Sequence, residues 1–207
     1  MLYLASQSPR RQSLLKDLGV DFTLLLPGDQ EDAEALEVAL PDENSKAYVL
    51  RVTLLKLDAA VNRLNNQGLN WAPIICADTT VAIHQRHADI ILGKPKDDDE
   101  ALAMLTQLNN QCHEVHTAVA IQISPDEPPD IFVVTSQVYF ANNSQAKLMA
   151  YVATHEPLGK AGAYAIQGLG STLIEKVEGS HSAIMGLPIY ETSLLLEKAG
   201  IPYILYP

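Results

Sequence analysis

The sequence predicts an α/β protein built around one mixed β-sheet. Short apolar runs typical of strands alternate with segments whose apolar residues recur at helical spacing. Two long strand-like segments, 112–123 and 131–140, are separated only by a proline-rich loop, which indicates a hairpin within the alternating pattern. The 207 residues suffice for one domain with a sizeable core, and no internal repeat or evident linker divides them.

The charge and composition exclude several classes of protein. The formal net charge of −11 repels a nucleic acid polymer on average, whereas a small phosphate ligand needs only a local basic patch. No apolar run is long enough to span a bilayer, and the N-terminus lacks the features of a signal peptide. Cys76 and Cys112 lie in strand-like apolar contexts, so we expect buried, reduced thiols in a cytoplasmic protein without a zinc site.

The N-terminal elements follow from local signals. The apolar run 2–5 predicts a strand, and a helix then begins at Pro9 with Ser8 as its N-cap and stops at Gly19. The run 20–26 predicts a second strand, which ends at Pro27-Gly28 and leads into the acidic loop 29–43. A long helix is predicted over 45–64, with an apolar stripe expected to be buried. The stripe consists of Ala47, Leu50, Leu54, Leu57 and Val61.

The remaining elements are predicted in the same way. A buried strand over 74–77 continues as an extended segment to residue 83, and a short strand follows over 88–92. The acidic triplet 97–99 suits the start of a helix over 100–108 better than a metal site. His113 and His116 are three residues apart on a strand, face opposite sides and are interpreted as structural. After the hairpin we predict a helix, a strand and a last helix, over 142–154, 172–176 and from Pro188 to 199.

Two arginines at a helix start indicate an anion site. Arg10 and Arg11 fall in the first helical turn, where cations face the positive end of the helix dipole. Free backbone donors and the hydroxyls of Ser6 and Ser8 lie beside them, which suits a bound phosphate. Spacing alone leaves a solvated basic helix start as an equal alternative.

Two further charged residues are placed unusually. Asp78 comes directly after a buried apolar run, where a carboxylate is costly unless it is paired, hydrogen-bonded or metal-bound. The alternative is an aspartate that caps a turn. Lys56 lies beside the apolar stripe of the long helix, and a lysine in that position usually extends to solvent. Pattern alone does not choose between these interpretations.

A set of motifs carries a family resemblance over nearly the whole chain. The motifs are Ala5-Ser6-Gln7-Ser8-Pro9-Arg10-Arg11 with Leu14-Leu15, Ala77-Asp78-Thr79, Gly93-Lys94-Pro95, the segment from Lys160 to Gly168, and Gly186-Leu187-Pro188. In this order they resemble the Maf family of nucleoside triphosphate pyrophosphatases. The resemblance implies one α/β domain over 1–207 with a nucleotide cleft across the sheet, of the Maf or inosine-triphosphatase-like kind. It also implies a homodimer.

The resemblance assigns roles to individual residues. Hydrolysis of a triphosphate requires cations that neutralise phosphate charge, a base for the attacking water and usually a metal. Ser8, Arg11, Lys56 and Lys94 are the implied phosphate-binding residues, Asp78 the implied base, and Glu31 and Asp78 the implied ligands of Mg²⁺ or Mn²⁺. Two positions depart from the family pattern: Gln30 replaces an acidic residue, and Leu55 replaces the glutamate that usually precedes the lysine.

Three positions bear on the nucleobase. Arg10, Thr79 and Gln167 resemble the dTTP/UTP branch of the family, whereas the branch acting on 7-methyl-GTP has Trp, Gln and Glu there. A glutamine amide offers an acceptor and donors, which suits the N3–H and carbonyl edge of thymine and uracil. We therefore expect hydrolysis of dTTP and UTP. The alternatives are a 7-methyl-GTP pyrophosphatase and a regulator of cell division (septum formation) that acts mainly by binding.

Overall fold

The computed structural model describes residues 1–28, 31, 34–41, 43–85 and 89–206, apart from the side chain of Glu34. Gln30, other parts of the loop 29–43 and the predicted strand start at Ala88 lie outside these residues. Within them, no helix combines the length and the apolar character needed to cross a bilayer.

Strands and helices alternate as the sequence predicts. The strands are β1 Leu2–Leu4, β2 Phe22–Leu24, β3 Ile74–His84, β4 Asp89–Leu92, β5 Cys112–Gln122, β6 Asp130–Phe140 and β7 Ile174–Glu178. The helices are α1 Pro9–Asp17, α2 Ser45–Asn66, α3 Asp98–Leu108, α4 Gln145–Val152, α5 His181–Ile184 and α6 Ile189–Lys198. Short 3₁₀ segments cover Glu34–Glu37, Ala161–Ala163 and Gly168–Leu173. The predicted elements are all present; β1, β2, β5 and α4 are shorter than predicted, whereas α2, β3, α3 and β6 are longer.

The strands form one mixed sheet, which confirms the predicted fold class. The order is β2-β1-β3-β5-β6-β7, with β4 paired to β3. The pairs β2–β1 and β1–β3 are parallel, whereas the pairs that β3, β5 and β6 form with later strands are antiparallel. The predicted hairpin of β5 and β6 is confirmed, and it supplies the antiparallel half of the sheet.

One edge of β3 is open at its centre. Strand β5 pairs with β3 from Ile74 to Ala82 along one edge. Along the other edge, β1 pairs only with residues 74–75 and β4 only with residues 81–84. Residues 76–80 therefore have no strand on that side among the described residues. The sequence placed Asp78 at the end of a strand, but it lies in the middle of β3, beside this opening.

Helices cover both faces of the sheet. Helix α2 packs on the face formed by the even-numbered residues of β3, where Leu57, Ala60 and Leu64 contact Ile74 and Cys76. The other face carries two clusters, one under α1 and α6 and one under α3 and α4. Because side chains alternate along a strand, Asp78 faces α2 and Thr79 faces the opposite layer.

The predicted apolar stripe of α2 is wrong, because the buried face of the helix is rotated relative to it. Leu57 is buried, but Leu50, Leu54 and Val61 are only half-buried and Ala47 is exposed. The buried face instead runs through these residues: Ser45, Tyr48, Val49, Val52, Thr53, Leu57, Ala60, Arg63 and Leu64. Four members of this face carry hydrogen-bonded polar groups, namely Ser45, Tyr48, Thr53 and Arg63, so hydropathy alone places the buried face incorrectly.

The burial of the cysteines and histidines agrees with the predictions except at Cys112. Cys76 is a buried free thiol, and burial raises its pKa to about 11. Cys112 is free but exposed, contrary to the prediction, because it opens β5 at the rim of the sheet. His113 and His116 are both buried and bonded to protein groups, so their structural interpretation is confirmed. Asp97 caps α3 by accepting from the Glu100 amide at 2.8 Å, as predicted.

Candidate active site

The start of α1 leaves polar groups free at the opening of the sheet. Ser8 occupies the N-cap position, but its side chain makes no capping hydrogen bond, unlike the usual N-cap serine. Its amide donates to Ser6 Oγ at 3.2 Å. Pro9 occupies the first turn as predicted, and Leu14 and Leu15 anchor the helix in the core. The helix thus holds Arg10 and Arg11 at the sheet opening.

Arg11 spans three parts of the chain. Its Nε donates to the Gly186 carbonyl at 2.7 Å, one terminal nitrogen donates to Ser6 Oγ at 3.3 Å, and the other donates to Thr79 Oγ1 at 3.4 Å. Gly186 has a φ of +114°, which favours glycine, and this conformation presents its carbonyl to the guanidinium. Arg11 is therefore fixed between α1, β3 and the start of the last helix.

Lys56 connects two carboxylates. Its Nζ lies 2.6 Å from Asp78 Oδ1 and 2.7 Å from Glu37 Oε1. Burial lowers the pKa of Lys56, but Asp78 and Glu37 outweigh burial, so the pKa is raised and the ammonium stays charged. The predicted alternative of a lysine extending to solvent is wrong, because only 18% of its side chain is exposed. Since one ammonium contacts both acids, Asp78 and Glu37 lie close together.

Glu37 also reaches Lys94. Lys94 Nζ lies 3.2 Å from both carboxylate oxygens of Glu37. Burial raises the pKa of Glu37, but the two lysines outweigh it and hold the pKa below its usual range. Two predicted phosphate-binding cations thus already share one anion. Sequence analysis did not single out Glu37 from the acidic loop, and no local signal distinguishes it from its neighbours.

Glu31 is held by a different cation. Its carboxylate forms a bidentate pair with Arg63, with distances of 2.9 Å from Nε to Oε1 and 2.6 Å from the terminal nitrogen to Oε2. Arg63 is buried and also donates to the Leu25 carbonyl at 2.8 Å. The hydrogen bonds from Arg63 lower the pKa of Glu31, which keeps this carboxylate ionised. Glu31 lies in the same cleft as Lys56, but its direct partner is Arg63.

Two cavities meet at the opening in β3. The first is lined by Arg10, Arg11, Thr79, Lys160, Gln167 and Gly186 among others. The second is lined by Ser6, Arg11, Glu31, Glu37, Lys56 and Lys94 among others. Ser8 and Arg11 line both cavities. Because Thr79 and the Lys56–Asp78 pair lie on opposite faces of the sheet, a ligand that fills both cavities passes the open edge of β3.

The first cavity is rich in cations. Burial and the neighbouring Arg11 lower the pKa of Arg10, and burial and Arg10 lower the pKa of Lys160. Burial is the larger cause of both shifts, and repulsion between the cations adds to it, which is unfavourable unless an acceptor-rich or anionic ligand joins them. No Asp or Glu occurs among the described residues that line this cavity.

A polar clamp holds the segment that contains Gln167. Tyr151 Oη accepts from the Ala165 amide at 3.3 Å and donates to Glu156 Oε1 at 3.0 Å. The Glu156 carboxylate also accepts from the amides of Leu169 and Gly170, at 3.2 and 3.0 Å. Gln167 thus lies between two anchored stretches of backbone. The sequence predicted close backbone approach in this segment, but it gave no indication of Glu156 or Tyr151.

The predicted site residues therefore gather around one opening. Ser8, Arg10, Arg11, Thr79 and Gln167 line the first cavity. Glu31, Lys56 and Lys94 line the second, and Asp78 is bonded to Lys56. The set comes from six separate parts of the chain. Local sequence could not place them together.

Comparisons with known proteins identify the family. A model of the family described as Maf-like protein matches residues 1–199. The chain is 53% identical over 203 residues to a dTTP/UTP pyrophosphatase of Burkholderia orbicola, covering 98% of this chain and 95% of that protein. It is 50% identical over 199 residues to a dTTP/UTP pyrophosphatase of Albidiferax ferrireducens, covering 96% of each. The Ham1 protein of Staphylococcus aureus aligns with a TM-score of 0.48 at 15% identity, over 84% of this chain and 79% of that one. Because both the family model and these relatives span nearly the whole chain, the protein belongs to the Maf family.

Proposed function

We propose that the protein hydrolyses dTTP and UTP to the monophosphate and pyrophosphate. The observation that carries this proposal is the Lys56–Asp78 pair at the open edge of β3, where the second cavity meets the first through Arg11. The names of the two relatives support the same activity, since they match this chain at 50% identity or more over nearly its full length.

A triphosphate nucleotide suits the two cavities. In our proposal the base occupies the first cavity, beside Arg10, Thr79 and Gln167. The phosphates occupy the second, where Arg11, Lys56 and Lys94 supply positive charge. Ser8 lies between them, with an uncommitted hydroxyl at the amino end of α1. The α-phosphorus then lies close to the open edge of β3.

Asp78 acts as the base in this arrangement. Its carboxylate accepts a proton from the water that attacks the α-phosphorus. Lys56 orients the carboxylate, since its ammonium contacts Asp78 Oδ1 at 2.6 Å. Arg11 and Lys94 neutralise charge that moves onto the departing pyrophosphate. The bond from the α-phosphorus to the bridging oxygen breaks as the bond to the water oxygen forms.

The donor set of the second cavity fits a hard divalent cation. Among the described residues no group of three or more His, Cys, Asp or Glu converges on one point. Magnesium sites at phosphates commonly use one or two carboxylates and complete the shell with phosphate oxygens and water. Asp78 and Glu31, the ligands that the family resemblance implies, would hold Mg²⁺ or Mn²⁺ together with the substrate, and Glu37 is a third candidate. When bound, the cation would neutralise phosphate charge and polarise the α-phosphate.

The first cavity favours a neutral base rich in carbonyl groups. Thymine and uracil present two carbonyl oxygens around one N–H, and the guanidinium, ammonium and amide donors of Arg10, Lys160 and Gln167 match them. The base of 7-methyl-GTP carries a positive charge, which the cations of this cavity disfavour. This observation supports dTTP and UTP over the 7-methyl-GTP alternative.

Pyrophosphate release by the purified protein tests the function. We expect release from dTTP and UTP with Mg²⁺ or Mn²⁺, and slower release from 7-methyl-GTP. Asp78→Asn should lower kcat by about 10²–10⁴-fold, since it removes the base without changing side-chain size. Asp58→Asn, an exposed position on α2, is the matched control and should leave kcat unchanged.

Different results would contradict different parts of the proposal. Near-normal turnover by a folded Asp78→Asn protein would remove Asp78 from catalysis. A higher kcat/KM for 7-methyl-GTP than for dTTP and UTP would overturn the base assignment alone. No pyrophosphate from any nucleotide with either metal would favour the alternative of a binding protein in cell division.

Two further features are proposed from family membership. We propose that the protein is a homodimer and that it is cytoplasmic. Sedimentation velocity at several protein concentrations measures the first, and a single monomeric species at all of them would contradict it. Fractionation of cells that express the tagged chain measures the second.

A further inference from the structure

Thr117 lies directly across the sheet from Thr79. The two residues are register partners of β5 and β3, and their side chains share the face that carries the first cavity. Thr117 is fully buried. Its Oγ1 lies 2.7 Å from the Ala183 carbonyl oxygen and 3.1 Å from Thr79 Oγ1. The three oxygens form a short hydrogen-bonded series that ends at the cavity.

The number of hydroxyl protons determines which group donates in each of these hydrogen bonds. A threonine hydroxyl has one proton to donate. The Ala183 carbonyl can only accept, so the proton of Thr117 goes to that carbonyl. The proton between the two threonines therefore belongs to Thr79. Thr79 is left with lone pairs on its free side, one of which accepts from Arg11 at 3.4 Å.

We propose that Thr117 is a positioning residue that makes Thr79 a hydrogen-bond acceptor toward the nucleobase. An acceptor at this point selects a ring N–H, such as N3–H of thymine or uracil. It disfavours cytosine, whose N3 is itself an acceptor, because two lone pairs then face each other. This inference rests on the proposed function, since it assumes that a pyrimidine base enters the first cavity.

The contacts of Ala183 separate this role from a purely structural one. The Ala183 carbonyl also accepts from the Gly186 amide at 2.8 Å, so it keeps a partner when Thr117 loses its hydroxyl. Valine has nearly the shape of threonine and suits a strand interior. In Thr117→Val the Thr79 proton loses its acceptor and becomes free to turn toward the cavity, where cytosine N3 can accept it.

The test compares thymine or uracil with cytosine nucleotides. In Thr117→Val we expect the ratio of kcat/KM for dCTP to that for dTTP to rise about tenfold. This is the size of effect expected when one hydrogen bond that distinguishes the two bases is lost. Thr117→Ser keeps the hydroxyl and should restore the original ratio. Thr53→Val is the matched control. Thr53 is also fully buried and donates to a backbone carbonyl at 2.7 Å, but on α2.

A binding measurement keeps the inference separate from the activity. Calorimetric titration with the α,β-imido analogues of dUTP and dCTP needs no hydrolysis. A preference for the uracil analogue that Thr117→Val loses and Thr117→Ser keeps supports the inference, even if the wild type releases no pyrophosphate. An unchanged preference in a folded Thr117→Val protein overturns it. Binding of neither analogue by the wild type overturns both the inference and the proposed function.

Discussion

Lys56 Nζ lies 2.6 Å from Asp78 Oδ1, so one ion pair joins helix α2 to the centre of the sheet. The same ammonium holds Glu37 at 2.7 Å. Lys56 thereby keeps two carboxylates close together that would otherwise repel each other. Its loss should affect both the chemistry and the fold.

The first prediction concerns Lys56→Met. We expect kcat to fall at least about 100-fold, since Asp78 loses its orienting partner and a phosphate loses a cation. The free energy of unfolding should fall by about 3 kcal/mol, because two largely buried acids lose their common counter-ion. Urea denaturation and steady-state kinetics measure the two effects. The double variant Lys56→Met/Glu37→Gln should recover part of the lost stability, since only Asp78 then lacks its counter-ion, but not turnover; recovery of turnover would make Lys56 purely structural.

The second prediction concerns Glu37→Gln. The Glu37 carboxylate must leave Lys56 and Lys94 before a phosphate can take its place. Removing its charge should therefore lower KM for dTTP several-fold, about the effect of one exposed ion pair, and change kcat little. Glu43→Gln, which loses a carboxylate paired with Arg51, is the control. A fall of kcat with unchanged KM would instead identify Glu37 as a ligand of the metal.

The third prediction concerns Gln167→Glu. A carboxylate offers only acceptors to a base that presents two carbonyl groups, so kcat/KM for dTTP and UTP should fall about tenfold to hundredfold. Hydrolysis of 7-methyl-GTP should fall less, because the new charge offsets the cations of the first cavity. Gln107→Glu, an exposed position on α3, controls for the added charge. Equal losses for all three nucleotides would show that Gln167 has no role in selecting the base.

The fourth prediction is the pH dependence of stability through His113. Burial lowers the pKa of His113 to about 4, whereas its pKa in the unfolded chain is near 6.5. The unfolded chain therefore binds the proton first, and stability that is present above pH 6.5 is lost as the pH falls toward 4. The free energy of unfolding falls by about 3 kcal/mol, because a difference of one pKa unit corresponds to about 1.36 kcal/mol. Urea denaturation at pH 7.0, 5.5 and 4.5 measures it, and His113→Phe should flatten the curve.

His84 supplies an internal control of opposite sign. A hydrogen bond that His84 donates to Glu114 raises its pKa, against burial, and Asp89 adds to the rise. Its contribution is present below pH 6.5 and is lost as the pH rises through the raised pKa. His84→Gln should therefore cost stability mainly at low pH. If His113→Phe leaves the pH dependence of the wild type intact, His113 does not titrate as described.

Local sequence signals were enough to predict the helices and strands, but they could not predict the contacts between these elements. Apolar runs, Pro9, Gly19 and Asp97 predicted where strands and helices begin and end, because these signals act within one turn. The sequence placed Lys56 beside a hydrophobic stripe, but it could not show that Asp78 lies within reach. That contact depends on how α2 is rotated, and the buried polar residues Ser45 and Arg63 set the rotation.

The candidate site was predicted through motifs and not through geometry. Motifs named Asp78, Lys94 and Gln167 because each belongs to a recognisable stretch. They could not name Glu37 or Thr117, whose importance comes from partners distant in the chain. Glu37 meets Lys56 and Lys94 across the cleft, and Thr117 meets Thr79 through strand pairing. Distant partners of this kind become visible only when the sheet register is known.

The opening in β3 has a consequence for how such a protein can vary. Neighbouring residues of one strand point to opposite faces, so Asp78 and Thr79 are consecutive in the chain yet belong to separate layers. In the proposed arrangement the even-numbered side serves bond cleavage, and the odd-numbered side serves recognition of the base. New nucleobase preferences can then arise by substitution in one layer, while the hydrolytic groups of the other keep their sequence, packing and charge.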